Sequence, residues 1–210
     1  MILFESWLPK WLLVFPIGLL WALPIWVNSH TPEFCTSLET LKDQLNSSLR
    51  RRYLKHNFPI NYTIQVHYEE VFRLKNISRM MNETEDVRDL QDLWVKVTVN
   101  SIERILTVLP ERHPTRYKYL NNLDSLFKTI QESYPKRNSD EVDYPESIEK
   151  ALESLQSTDL QRMKSVTPKS LFDNCYRTMH CLFQDCFPRN SSQNDYCSAQ
   201  HWRKGKGTQG

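Results

Sequence analysis

Leu38, Leu41, Leu45, Leu49 and Tyr53 recur at intervals of three and four, the spacing that puts one apolar residue on the same side of every helical turn. Thr36-Ser37-Leu38-Glu39 just ahead of them has the form of a capping box, and Phe58-Pro59 stops the pattern. A second stripe starts from Asn82 and Glu85 and runs Val87, Leu90, Trp94, Val97, Ile105 and Leu109, with Ser101 its polar break, to Pro110. Val95, Val97 and Val99 alternate as a strand would. The helical spacing nevertheless continues for more than twenty residues, too long for a strand, so the segment is read as helix. A third stripe opens at Pro114 and carries Leu120, Leu123, Phe127, Ile130 and Tyr134 before Pro135. The fourth opens on Thr167-Pro168, a cap followed by a first-turn proline, and runs Leu171, Cys175, Met179, Leu182 and Cys186 to Phe187-Pro188.

Connection lengths then constrain how four such helices pack. Only Pro110 to His113 separates the second from the third, so these two must be antiparallel neighbours. The spans Asn57 to Met81 and Pro135 to Val166 are each long enough to run the length of a bundle and to join parallel helices. The pattern therefore predicts an all-α, up-up-down-down bundle of the short-chain type with a small β element in the crossovers. That element is Tyr62 to Tyr68, where Tyr62, Ile64, Val66 and Tyr68 alternate with Thr63, Gln65 and His67. A lone strand needs a hydrogen-bonding partner, and Met163 to Val166 in the other crossover is placed to supply it. Ile148, Leu152 and Leu155 predict a short extra helix within Pro145 to Ser157.

Composition sharpens this picture chiefly through glycine. All four glycines, Gly18, Gly205, Gly207 and Gly210, lie outside residues 29–204. Phosphate loops, dinucleotide fingerprints and nucleophile elbows each need glycine where the backbone turns sharply or approaches a ligand, so these classes are excluded. Net charge is +2, too small for a nucleic-acid partner. Basic residues do cluster at Arg50, Arg51, Arg52, Lys55 and His56, and again at Arg203, Lys204 and Lys206. Residues 1–29 read as a signal peptide: Lys10 precedes the apolar run Trp11 to Val27, and the cut falls after Ser29 or after Ala22. Pro16, Gly18 and Pro24 interrupt that run, which argues against stable membrane insertion and favours a cleaved signal over the alternative, a retained anchor. Residues 30–197 are then the folded domain and 198–210 a basic flexible tail, in a secreted, extracellular protein. Sequons at Asn46, Asn61, Asn76, Asn82 and Asn190 agree with passage through a glycosylating compartment.

Five cysteines in an oxidising context leave two bridges and one thiol, drawable in fifteen ways. The topology narrows the choice, because it sets Cys35, at the start of the first helix, beside the end of the fourth. Cys35 with Cys186 and Cys181 with Cys197 is the expected pairing, with Cys175 buried and free on the apolar stripe; Cys35 with Cys181 is the rival. His180-Cys181 with Asp185-Cys186 has the makings of a zinc cluster, but disulfide chemistry fits the compartment better. No catalytic residue, metal or cofactor is expected. Of the tryptophans, Trp94 is the expected core anchor.

The stretches "YLKHNFPINYTIQVHYEEVFRLKNISR", "LWVKVTV" and "PKSLFDNCYRTM" resemble the interleukin-34 family of secreted helical cytokines, a likeness covering about Cys35 to Cys197. The chain departs from the family's pattern in having no adjacent cysteine pair at the end of the fourth helix. The resemblance implies a homodimer that activates the macrophage colony-stimulating-factor receptor, a tyrosine kinase, through its ectodomain, promoting survival, proliferation and differentiation of monocytes and macrophages. It also implies sulfated glycosaminoglycans, receptor phosphatase zeta and syndecan as partners, and glycosylation at Asn76. Carried onto the first and third helices, it points to Arg50, Lys55, Lys118, Asn121, Asp124 and Lys128 as receptor contacts. A secreted glycosaminoglycan-binding matrix module is the alternative reading.

Overall fold

A computed structural model describes residues 33–59, 61–68, 72–84, 86–135, 143–157, 163–187 and 195–203. The first helical stripe becomes three segments: α1 (Glu33–Gln44), α2 (Ser47–Arg50) and a π-helical stretch Arg51–Lys55. Asn46 makes the break, its side-chain oxygen accepting the Leu49 amide and so capping α2. The expected capping box does not form. Thr36 lies inside α1, where its carbonyl accepts the Thr40 hydroxyl, because Phe34 is buried and Cys35 is bonded, and these anchors draw an extra turn into the helix. Leu38, Leu41 and Leu45 are fully buried. Beyond Arg50 the wider π turn shifts the phase of the stripe, burying Leu54 and leaving Tyr53 half-buried.

An unexpected short helix, α3 (Leu74–Met80), lies in the first crossover and buries Leu74, Ile77 and Met80. α4 (Val87–Thr107) then starts later than the Asn82 signal, with Asp86 as its cap. This helix is covered by neighbours on most of its circumference. Val95, Val97 and Val99 are all buried for that reason, which is why a helix could carry a strand-like alternation. Pro114 opens the third rod, which passes through a π-helical stretch Arg116–Leu120 into α5 (Asn121–Ser133). α6 (Glu146–Gln156) is the short crossover helix, with Ile148 and Ala151 buried. α7 (Pro168–Leu182) begins as its sequence predicts, the Thr167 hydroxyl oxygen accepting the Ser170 amide and Pro168 occupying the first turn.

Contacts at the two ends establish the directions of the rods. At one end the Phe34 ring meets Tyr134 and Phe183, at 5.1 and 5.3 Å between centroids, and Gln91 donates to the Leu182 carbonyl at 2.8 Å. The starts of α1 and α4 therefore lie with the ends of α5 and α7. At the other end the Thr115 hydroxyl donates to the Tyr53 carbonyl, and the Arg116 guanidinium donates to the Leu109 carbonyl. Two rods rise and two descend. Across the crossovers β1 (Ile64–His67) pairs antiparallel with β2 (Met163–Val166), in the register Ile64 opposite Val166 and His67 opposite Met163. Ile64 and Val66 face inward, but the alternation ends there. His67 is buried and Tyr68 is 56% exposed, the reverse of the period-two expectation, because the chain turns at Tyr68. Trp94 sits at the centre, fully buried, its indole N–H donating to Thr178 Oγ1 at 3.0 Å.

The expected signal segment lies outside the described residues. At the other boundary, residues 198–203 of the expected basic tail are described, and the rest of it lies outside the described residues. Residues 198–203 form turns packed on the core through Trp202, because the Cys181–Cys197 bond brings them back to α7.

Candidate functional site

Two disulfides gather the chain at the end where α7 finishes. Cys35 bonds Cys186, with Cα atoms 4.9 Å apart, and Cys181 bonds Cys197, at 4.6 Å. Both cysteines of the imagined zinc cluster are thereby consumed as bridges. Cys175 is free and buried among apolar groups, and that burial pushes its thiol far above the usual cysteine range. Beside the second bridge, Trp202 donates its indole N–H to the Tyr196 carbonyl at 2.9 Å. His180 is enclosed there by the rings of Tyr176, Phe187, Tyr196 and Trp202. Burial holds it neutral and lowers its pKa to about 4, with Lys42 and His201 acting in the same direction.

The residues predicted to meet a receptor do not all share one surface. Arg50 is a correction: it is buried, paired with Asp173 at 2.7 Å and stacked over the Tyr176 ring at 5.1 Å. The break at Asn46 re-phases the helix and turns this side chain toward Asp173 of α7 rather than solvent. Lys55 is exposed at the end of the π stretch. Lys118, Asn121 and Lys128 are exposed along the third rod, with the half-buried Asp124 bonded to Lys128 at 2.9 Å. α1 and α5 pack side by side, so the solvent faces of the first and third rods are neighbours. Such a surface of separate charges and amides can hydrogen-bond a partner, and exposed pairs like Asp124–Lys128 contribute little to stability.

Among the sequons, Asn61 is exposed at φ 66° and Asn82 is exposed in the turn after α3. Asn76 is half-buried on α3. Asn46 uses its carbonyl oxygen as the α2 cap and donates its amide to the Asp43 carbonyl. Asn190 lies outside the described residues.

One feature escaped the linear reading. Arg73, Lys75, Arg177 and Arg203 line a single concavity of about 320 Å³, together with Asn174 and Trp202. About a hundred residues of chain separate the α3 cations from Arg177, so no local motif announces the group. Among the described residues no three His, Cys, Asp or Glu side chains are grouped to hold a metal ion. Nor is any described helix long and apolar enough to cross a membrane. A protein-family model described as Interleukin 34 matches residues 28–191.

Proposed function

The chain belongs to the interleukin-34 family of cytokines, and on that premise we propose that it is a secreted ligand of the macrophage colony-stimulating-factor receptor. In this reading the protein acts by geometry rather than catalysis. A two-fold homodimer presents the same receptor surface twice. Two receptor chains are brought close enough for their cytoplasmic kinases to phosphorylate each other, and monocytes and macrophages survive, proliferate and differentiate in response.

The observation that carries the reading is the bundle itself: α1 packs along α5, which sets the first and third rods side by side with Lys55, Lys118, Asn121 and Lys128 toward solvent. Arg50 drops out of the proposed contact set and acts instead as a brace between α2 and α7. Purified protein is expected to raise tyrosine phosphorylation of the named receptor in cells that display it. No response at saturating dose overturns the proposal.

A second reading, binding to sulfated glycosaminoglycans such as those carried by receptor phosphatase zeta and syndecan, is favoured by free basic side chains on the surface. Arg51, Arg52, Lys55 and His56 are exposed at one end of the bundle. Contacts between exposed cations and sulfate are screened strongly at high salt. Glycan binding that persists at about 0.5 M salt therefore counts against this reading.

A further inference from the structure

Cations from three separate parts of the chain converge on the 320 Å³ concavity. Arg73 and Lys75 stand at the start of α3, Arg177 is on α7, and Arg203 ends the docked C-terminal segment. Four cations elsewhere on the molecule are paired, Arg50 and Lys169 with Asp173, Lys128 with Asp124 and Lys150 with Glu146. Among the described residues none of the four pocket cations has an ion-pair partner. Like charges gathered in a concave site raise the local potential and repel one another, a cost that an anionic ligand removes.

The remaining lining says what kind of anion fits. Trp202 is held by its bond to the Tyr196 carbonyl and by edge-on packing against Tyr176 at 5.9 Å, and it contributes an apolar indole wall. Asn174 adds an amide able to donate and accept. Isolated inorganic sulfate needs neither group. A saccharide ring needs both, a flat apolar face to lie against and a hydroxyl partner, with its sulfates toward the guanidinium groups. The cavity volume is at the small end for ligand clefts, the scale of a short oligosaccharide segment. A nucleic-acid backbone is disfavoured by the low net charge of +2.

We infer that this pocket, and not the Arg51–His56 cluster, is the site at which the protein holds a sulfated saccharide. The inference rests on the glycan-binding reading above and deepens it to named residues. It also makes the site conditional. Arg203 and Trp202 reach the pocket because the Cys181–Cys197 bond anchors their segment beside Arg177, four residues before Cys181.

The test is calorimetric titration of the full chain at 0.15 M salt with a heparin-derived hexasaccharide, its desulfated counterpart, inorganic sulfate and a short DNA duplex. Arg73→Ala/Arg177→Ala/Arg203→Ala is expected to weaken hexasaccharide binding at least about a hundredfold, the scale of three lost charge-assisted contacts. Arg51→Ala/Arg52→Ala/Lys55→Ala should change it less than about threefold, as expected for charges acting only at a distance. The single Arg203→Glu, on an exposed side chain, repeats the comparison without risk to folding. A larger loss in the Arg51 triple variant, or equal losses in both, overturns the pocket assignment while leaving the glycan reading intact. Absence of hexasaccharide binding by the unsubstituted chain overturns both. Equal affinity for the desulfated sugar, for inorganic sulfate or for DNA overturns the proposed ligand class.

Discussion

His180 shows how a residue that no motif marks can acquire a defined physical property. Its ring lies 4.4 Å from the Phe187 centroid and 4.7 Å from that of Tyr176, and among the described residues neither ring nitrogen has a hydrogen-bond partner. The folded pKa of about 4 is below the ordinary 6.5, so the unfolded chain takes up a proton first as pH falls. Stability from this site is therefore complete above pH 6.5 and declines as pH drops from there toward about 4, by on the order of 3 kcal/mol. Urea midpoints measured across that range should fall for the unsubstituted protein. The decline should be smaller for His180→Phe, and parallel curves would contradict the assignment. Trp94, by contrast, could be read directly as a core residue, since the other tryptophans fall within residues 1–29 or near the C-terminus. Its partner Thr178 lies 84 positions away and could not be read at all.

At the scale of single elements, signals that act within one turn were legible and signals that compete with tertiary contacts were not. Thr167-Pro168 starts α7 as written because both the cap and the fixed proline φ are local. Thr167→Ala should cost about 1 kcal/mol and lower the thermal midpoint by a few degrees in a calorimetric scan. Thr36-Ser37-Leu38-Glu39 is an equally good local signal, yet burial of Phe34 and bonding of Cys35 overrule it. The π turns at Arg51–Lys55 and Arg116–Leu120 carry no signature in composition. The break at Asn46 and the pairing with Asp173 hold Arg50 inward, while Lys55, Lys118, Asn121 and Lys128 remain toward solvent.

For the whole molecule, the Cys35–Cys186 bond spans a separation of 151 residues and ties the beginning of the first rod to the end of the last. Closing so long a loop restricts the unfolded chain most. Cys35→Ser/Cys186→Ser should accordingly lose about 4 kcal/mol in guanidinium unfolding, against a smaller loss for Cys181→Ser/Cys197→Ser, whose separation is 16. The sequence alone determined the rods, their order and their directions, because apolar period, proline stops and connection lengths are properties of the chain read in one dimension. With them came the strand pairing and the end of the bundle at which Cys35 is bridged, while the choice between Cys181 and Cys186 was made by the fold. Only the tertiary structure decided the phase of the first rod, the docking of residues 198–203 and the meeting of Arg73, Lys75, Arg177 and Arg203. Those outcomes depend on which distant side chains compete for the same space, and spacing along a chain contains no term for that competition.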